Sequence, residues 1–356
     1  SWETISPDLT RNDKSKLVSS GGPITQDNTG VEYYATIFAV DESPLQEGLI
    51  WVGSDDGLIH LTKDGGATWE NVTPKKMPDW MMINSIDASS FDSGTAYIAG
   101  TRYKLGDFTP YLYVTDDYGK NWKLITDGIK DEHFTRVLRS DKVNKNILYA
   151  GTETGMYISY DRGNSWNEFQ KNLPIVPITD LTIKDNSLIV ATQGRSIWMI
   201  DDLTVFHQLT PSTDQIKLYK PKDSYRMGGA GGRKSLTAGT NLPNGAIIHY
   251  FIPNYDKEND QVSLSIHSAD GTLIKEFSDK SKENLLKVKN GGNSFVWNMK
   301  YPGAKRLDNM VLWGADFSGA KAVPGNYIVK LKVNDTELTQ EFTIHKDPTS
   351  EGSIDD

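Results

Sequence analysis

Short apolar runs separated by polar turns recur along the first two hundred residues. Each run is too short for a helix, has the length of a β-strand, and ends in a small residue that suits an inner strand crowded near an axis. The four runs are Trp51–Gly53, Tyr97–Gly100, Tyr149–Gly151 and Leu188–Ala191. They predict four β-sheets, with approximate spans of 33–75, 83–127, 134–171 and 178–209.

A second repeat follows three of these runs and reads [S/T]-x-D-x-G-x-[S/T/N]-W. Its aspartate is expected to accept hydrogen bonds from turn amides, its glycine to adopt a positive φ, and its indole to pack beneath the turn between neighbouring sheets. We therefore interpret these carboxylates as scaffold rather than catalytic groups. The motif residues are Asp64, Gly66, Trp69, Asp117, Gly119, Trp122, Asp161, Gly163 and Trp166.

The spacing of these aspartates matches one four-stranded blade of a β-propeller. The sequence therefore predicts an all-β chain with a propeller segment of about four blades over residues 1–210. The stretch from Trp2 to Ser6 looks like the end of another copy of the motif and predicts an orphan outer strand. Because propellers avoid open sheet edges, we expect an upstream part of the polypeptide or another chain to complete the ring.

After residue 210 the repeat stops, and residues 211–244 are rich in Gly, Pro and Ser, as expected for a linker. Alternating β-branched and polar residues then predict about seven short strands over residues 245–346. This pattern is typical of an immunoglobulin-like or fibronectin-like sandwich. Residues 347–356 predict a flexible tail.

Composition narrows the functional classes. The 356 residues include 38 Lys and Arg against 47 Asp and Glu, so the formal net charge is −9, which disfavours nucleic acid as a partner. There are no cysteines, which excludes disulfides, thiolate metal sites and cysteine nucleophiles. We find no apolar run long enough for a membrane-spanning helix.

The sequence resembles the bacterial Asp-box (BNR-repeat) propeller proteins, which are sortilin-like or glycosyl-hydrolase-like. Besides the turn motifs, the resemblance rests on segments 1–9, 51–57, 192–203, 293–298 and 324–327. It implies an exported protein, placed in the periplasm, on the cell surface or outside the cell. Two departures are Gln193, where the family usually has His, and the absence of the cysteine-rich module that follows the propeller in animal sortilins.

Candidate ligand-binding residues follow from propeller geometry. Loops at the face opposite the Asp-box turns usually carry function. The residues on the predicted loops of that face are Asp55, Asp56, Trp80, Arg102, Tyr103, Lys104, His133, Glu153, Gln193 and Arg195. Trp80 either stacks on a sugar or a peptide or covers the small core of its own loop, and Arg195 either clamps a carboxylate or pairs with Asp201 or Asp202.

No acid–base pair for catalysis stands out in the sequence. We expect an accessory or binding protein that recognises protein or glycan at the propeller face. The alternatives are a glycoside hydrolase whose cleft is completed by further blades, and a structural component of a cell-surface assembly. No cofactor is expected, although the oxygen ligands of Asp116–Asp117 or Asp256–Asp260 could hold Ca²⁺.

Overall fold

The computed structural model describes residues 2–19, 21–27, 34–209, 214–227, 239, 241–304, 313–314 and 316–352. It divides into two compact units, Ser1–Asp201 and Asp202–Asp356. The all-β fold class is confirmed, since the described helical elements are α1 (Thr204–His207) and two 3-10 turns at Lys14–Lys16 and Tyr103–Leu105. Parts of the predicted linker and tail lie outside the described residues.

The first unit contains four antiparallel sheets in chain order, which confirms the propeller prediction. Sheet 1 consists of β1 (Ile37–Glu42), β2 (Ile50–Ser54), β3 (Ile59–Thr62) and β4 (Glu70–Asn71). Sheet 2 consists of β5 (Met82–Ala88), β6 (Ala96–Arg102), β7 (Asp107–Thr115) and β8 (Lys123–Leu124). Sheet 3 consists of β9 (Thr135–Ser140), β10 (Leu148–Thr152), β11 (Gly155–Ser159) and β12 (Asn167–Glu168). Sheet 4 has three strands, β13 (Ile178–Lys184), β14 (Ser187–Thr192) and β15 (Ile197–Ile200).

The four apolar runs lie one strand further from the axis than the sequence predicts. They form the second strand of each sheet, whereas the first strands β1, β5, β9 and β13 surround a central cavity of about 280 Å³. Crowding at the axis therefore does not explain why these runs end in small residues. A Cβ on Gly53 would lie 2.4 Å from Ile83 Cγ2, and one on Gly151 would lie 2.6 Å from Ile178 Cγ2. The glycines therefore make room for the first strand of the next sheet.

The Asp-box turns lie between the third and fourth strands and share one hydrogen-bond pattern. In the first turn, Asp64 Oδ1 accepts from the Thr68 amide at 2.9 Å and from the Thr62 hydroxyl at 2.8 Å, while Oδ2 accepts from the Thr68 hydroxyl. Asp117 and Asp161 repeat these bonds within their own turns. The carboxylates are therefore used within the turns.

Each motif indole is bonded to the preceding repeat. Trp122 Nε1 donates to the Val72 carbonyl at 2.7 Å, and Trp166 Nε1 donates to the Ile125 carbonyl at 2.7 Å. Trp69 Nε1 donates in the same way to the Ile5 carbonyl at 2.8 Å. The three tryptophans thus make equivalent hydrogen bonds, and each ties one sheet to the chain segment before it.

Residues 2–6 differ from their prediction as an outer strand. They form no strand in the structure, yet the Ile5 carbonyl occupies the position that Val72 and Ile125 occupy for the later turns. A fourth strand forms only by pairing with a third strand. The segment keeps its contact with the following sheet without being part of a sheet itself.

The second unit contains two sheets over one core. Its strands are β16 (Lys217–Leu218), β17 (Ser224–Arg226), β18 (Ala246–Ile252), β19 (Val262–Ser268), β20 (Leu273–Ser278), β21 (Gly291–Trp297), β22 (Gly325–Val333) and β23 (Thr336–Lys346). One sheet has the order β16-β18-β21 and the other β17-β23-β22-β19-β20. Trp297, Tyr327 and Phe342 lie in the shared core, which makes the unit a sandwich. The immunoglobulin- or fibronectin-like assignment stays a prediction.

Two glycine-to-alanine variants test whether the close approach between neighbouring repeats contributes to stability. Gly119 has φ +79°, and an added Cβ would lie 2.6 Å from Val72 Cβ. We expect Gly119→Ala to lower the free energy of unfolding by about 2–4 kcal/mol, from backbone strain and steric overlap together. The measurement is urea unfolding followed by tryptophan fluorescence.

Gly65→Ala is the matched control. Gly65 has φ +70° and no atom within 4 Å of an added Cβ, and Tyr118 occupies the corresponding position of the next turn with φ 60°. The control should cost about 1 kcal/mol. Equal losses for the two variants would contradict the proposed packing constraint.

Unfolding at low pH tests how much the turn carboxylates contribute to stability. Hydrogen bonds from Thr68 and then from Thr62 lower the pKa of Asp64 from 3.8 to about 2. A lowered pKa in the folded state stabilises the protein above the unfolded value and loses this effect as the pH falls through the folded value. Asp64→Asn should therefore weaken the dependence of the urea midpoint on pH between about 4 and 2. Parallel curves for the two proteins would contradict this role.

Candidate functional site

A pocket of about 200 Å³ lies in the first unit, at the strand ends opposite the Asp-box turns. It brings together five of the residues that the sequence places on this face. These are Asp55, Trp80, Arg102, Tyr103 and Lys104. The remaining lining residues are Tyr34, Thr36, Phe38, Met82, Thr101 and Leu105. The geometry thus joins loops from sheets 1 and 2, while ligand binding by these residues stays a prediction.

Backbone geometry brings these side chains to one rim. Asp55 follows β2 directly, and its Oδ1 accepts from the Thr36 amide at 2.9 Å, which fixes the carboxylate beside the start of β1. Arg102 ends β6, and Tyr103 begins the 3-10 turn that closes on Gly106. Consecutive strand ends therefore supply an acidic group, a basic group and an aromatic ring.

Trp80 has a strained backbone and a partly covered ring. Its φ is +61°, a region that side-chain-bearing residues rarely adopt and that is common at ligand sites. The Arg11 guanidinium lies 5.2 Å from the ring centroid, and Tyr34 packs edge-on at 6.1 Å. The indole therefore covers local groups and also lines the pocket, and both interpretations of Trp80 stay predictions.

Arg102 is held by two acceptors. Its Nε donates to the Asp79 carbonyl at 3.0 Å, and its Nη1 donates to Asp107 Oδ2 at 2.5 Å. Although burial opposes it, hydrogen bonds from Thr109, Tyr111 and Arg102 hold the pKa of Asp107 below its usual value. The guanidinium is therefore oriented before any ligand arrives.

The Asp55 carboxylate has a raised pKa. Burial is the main cause, and the nearby Asp56 carboxylate adds to it, while the bond from the Thr36 amide acts in the opposite direction. Asp55 is the single carboxylate among the described residues that line the pocket. It can accept hydrogen bonds from hydroxyl or amide groups of a ligand.

The hydroxyl of Thr101 is the feature that sequence reasoning missed. Thr101 is 1% exposed and lines the pocket, and its Oγ1 has no hydrogen-bond partner. Burying an unpaired hydroxyl is unfavourable. The sequence did contain a signal, because Thr101 directly precedes the candidate residue Arg102 at the end of β6. The corresponding strand of sheet 1 is β2, which is followed directly by the candidate residue Asp55.

Three of the predicted ligand-binding residues lie outside this pocket. Asp56 is buried and accepts from the Arg11 amide at 2.7 Å and the Ser54 hydroxyl at 2.6 Å, so it anchors the chain before sheet 1. Glu153 pairs with Arg136 at 2.6 Å. Arg195 is exposed, and its Nη1 donates to the carbonyl of Gly194 rather than to a ligand position in the pocket.

The other two residues predicted on this face also have local contacts. His133 shares a hydrogen bond of 2.8 Å with the Tyr157 hydroxyl, and burial lowers the pKa of His133. The backbone N–H of Gln193 donates to the Pro177 carbonyl at 2.9 Å. Neither residue lines the pocket.

The acidic pairs considered for Ca²⁺ are engaged in local bonds. Asp116 pairs with Arg162 at 2.6 Å and accepts from Thr95. Asp256 Oδ2 accepts from the Asn259 amide group, and Asp260 Oδ2 accepts from the backbone of Asp256. The part of the chain that the structure describes contains no group of three or more His, Cys, Asp or Glu side chains that could hold a metal ion. The expectation of no cofactor, with Ca²⁺ as its alternative, stays a prediction.

Comparison with known proteins agrees with the repeat. The family model for sortilin, neurotensin receptor 3 (Sortilin-Vps10) matches residues 110–227, from sheet 2 into the second unit. This part of the chain is similar to the sortilin propellers. The match covers less than half of the chain. No curated protein sequence matches it.

Solved structures with similar folds include two kinds of protein. YCF48 bound to D1 peptide is 20% identical with a TM-score of 0.37, covering 47% of this chain and 52% of that one. The GH74 xyloglucanase from Xanthomonas campestris is 17% identical with a TM-score of 0.38, and the alignment covers 60% of this chain and 36% of that one. The GH74 enzyme from Niastella koreensis is 14% identical with a TM-score of 0.37, and the alignment covers 64% of this chain and 31% of that one. The aligned part thus spans about half or less of each of these structures.

The described residues include no helix that is long and apolar enough to cross a membrane.

Two threonine variants test the unpaired hydroxyl. Thr101→Val replaces a buried, unpartnered hydroxyl with a methyl group of similar size, so the free energy of unfolding should stay unchanged or rise by up to about 1 kcal/mol. In the matched control Thr115→Val, the lost hydroxyl donates to Asp117 and accepts from the Gly119 amide. The control should lose about 1–3 kcal/mol in urea unfolding. A comparable loss for Thr101→Val would mean that its hydroxyl is paired.

Proposed function

We propose that this chain is an exported binding protein that recognises a glycan through the pocket between sheets 1 and 2. The observation that supports this is the convergence of aromatic rings with Asp55 and Arg102 on one small cavity. The cavity has room for one small unit of a ligand, such as a single sugar residue. Longer ligands would extend over the surrounding loops.

The chemistry of the lining suits a sugar. A sugar ring has apolar C–H faces, which pack on aromatic rings such as Tyr103 and Trp80, and hydroxyl groups, which donate to carboxylates and accept from guanidinium groups. Asp55 supplies the acceptor and Arg102 the donor.

A glycoside hydrolase is less well supported by this pocket. Both retaining and inverting mechanisms use two carboxylates on opposite sides of the bond that is cleaved. Asp55 supplies one, and Asp107, the carboxylate that holds Arg102, does not line the pocket and is bonded to Arg102 and Tyr111. We therefore propose binding without turnover.

Binding can be tested by screening the full-length chain against immobilised plant and host polysaccharides, with a peptide library as the alternative class. We expect retention on one or more polysaccharides. Tyr103→Ala and Asp55→Asn should each weaken it by about tenfold or more, because each removes a direct contact. Retention on peptides alone would contradict the glycan proposal.

Arg195→Ala is the matched control for Arg102→Ala. Both variants remove an arginine from a loop on the same rim, but Arg195 lies outside the pocket. We expect Arg102→Ala to weaken polysaccharide binding and Arg195→Ala to leave it unchanged. Release of reducing sugar ends, measured in the same samples, would show hydrolysis and overturn the binding-only proposal.

A further inference from the structure

A groove of about 640 Å³ lies between the outer strands of sheets 1 and 2. One wall consists of residues 70–76, which begin with β4, and the other consists of residues 119–122 and Leu124 of β8. Tyr113 completes the lining. Both walls belong to neighbouring sheets of the first unit, and the groove shares no lining residue with the pocket of the proposed function.

In the next gap, between sheets 2 and 3, the chain that follows β8 packs against the motif tryptophan. The Asp127 carbonyl accepts from the Trp166 amide at 2.8 Å, and Gly128 passes against the Trp166 backbone. Ile129 belongs to the same core cluster as Trp166. As a result, Trp166 is only 4% exposed.

In the gap between sheets 1 and 2, lysines stand at two of these positions. Counted from the motif tryptophan of each repeat, Lys75 corresponds to Gly128 and Lys76 corresponds to Ile129. Gly128 has φ +92°, and an added Cβ would lie 2.3 Å from the Trp166 carbonyl oxygen, so a lysine could not approach in the same way. The groove therefore stays open, and Trp122 is only partly buried and lines it.

The lining of the groove is cationic. Lys75, Lys76 and Lys120 are exposed, and none of them forms an ion pair with a described residue. Glu70 is the single acidic residue among the described residues that line the groove, so the lining has a net formal charge of +2. At physiological salt, charges more than about 8 Å away are largely screened. The lining therefore attracts anions although the whole chain has a net charge of −9.

Between the lysines the groove offers apolar and aromatic surface. The Trp122 ring is oriented by the bond from its Nε1 to the Val72 carbonyl. Tyr113 lies beside it, and Leu124 is 48% exposed. A ligand with flat apolar faces can pack on these side chains while an anionic group at its edge reaches a lysine ammonium group.

We propose that this groove binds a polyuronate, a polysaccharide in which each sugar unit carries one carboxylate. The carboxylate of a uronate lies at the edge of the ring, which leaves C–H faces free to pack on an indole. The groove has about three times the volume of the pocket described above, so it has room for about three sugar units. Three lysines then match one charge per unit.

An acidic peptide fits the groove less well. Extended peptides gain much of their affinity from main-chain hydrogen bonds to the edge of a sheet. The outer strands β4 and β8 have two residues each, so they offer few such bonds. Sugar rings need no strand edge, because they bind through their faces and their substituents.

Titration calorimetry of the full chain with an unbranched galacturonate oligomer tests this proposal. We expect binding that weakens as the salt concentration rises, and no binding of the methyl-esterified oligomer, which has the same rings without the charges. Lys75→Gln and Lys76→Gln should each raise the dissociation constant about threefold to fivefold, and the double variant about tenfold or more. Glu70→Gln removes the opposing charge and should lower the dissociation constant about twofold to threefold.

Lys145→Gln is the matched control. Lys145 is exposed on a turn of sheet 3 outside the groove, so the same chemical change should leave galacturonate binding unchanged. All the substituted side chains are exposed, so each variant should unfold in urea as the parent does. Tyr103→Ala, which removes a ring of the pocket, should also bind galacturonate as the parent does. Failure of the pocket proposal and failure of this proposal are therefore distinguishable.

Four results would overturn the proposal. They are a parent chain that does not bind the galacturonate oligomer, equal affinity for its methyl ester, lysine variants that bind as the parent does, and tighter binding of dextran sulfate or poly-glutamate. The last result would assign the groove to a sulfated polysaccharide or to an acidic peptide instead.

Discussion

The propeller unit depends on the contact between each sheet and the one before it. At the rim, a tryptophan indole donates to a carbonyl of the preceding repeat while the motif glycine lies against the same residue. Nearer the axis, a glycine in the second strand admits a bulky side chain from the first strand of the next sheet. Because both contacts bridge neighbouring sheets, the blades are held at a constant spacing.

This arrangement leaves the opposite rim free for chemistry. The Asp-box turns use their aspartates, hydroxyls and indoles within the scaffold, so those groups are unavailable to a ligand. At the other ends of the strands, Asp55, Arg102 and Tyr103 emerge from connections that the turns do not constrain. Binding groups can therefore vary there while the blades remain packed. The same division explains why the repeat indicates a fold more clearly than a function.

The repeated turns, the strands and the number of sheets in the first unit can be predicted from the sequence, because those features rest on bonds and alternation within a few residues. Asp64, its glycine and its tryptophan can be recognised from spacing alone. Which candidate side chains remain available for a ligand follows from the folded chain and not from the sequence pattern. Asp56 and Glu153 are engaged by Arg11 and Arg136, whereas Thr101 is buried without a partner. The availability of a polar group depends on neighbours that are distant in the chain, and local sequence patterns do not encode that information.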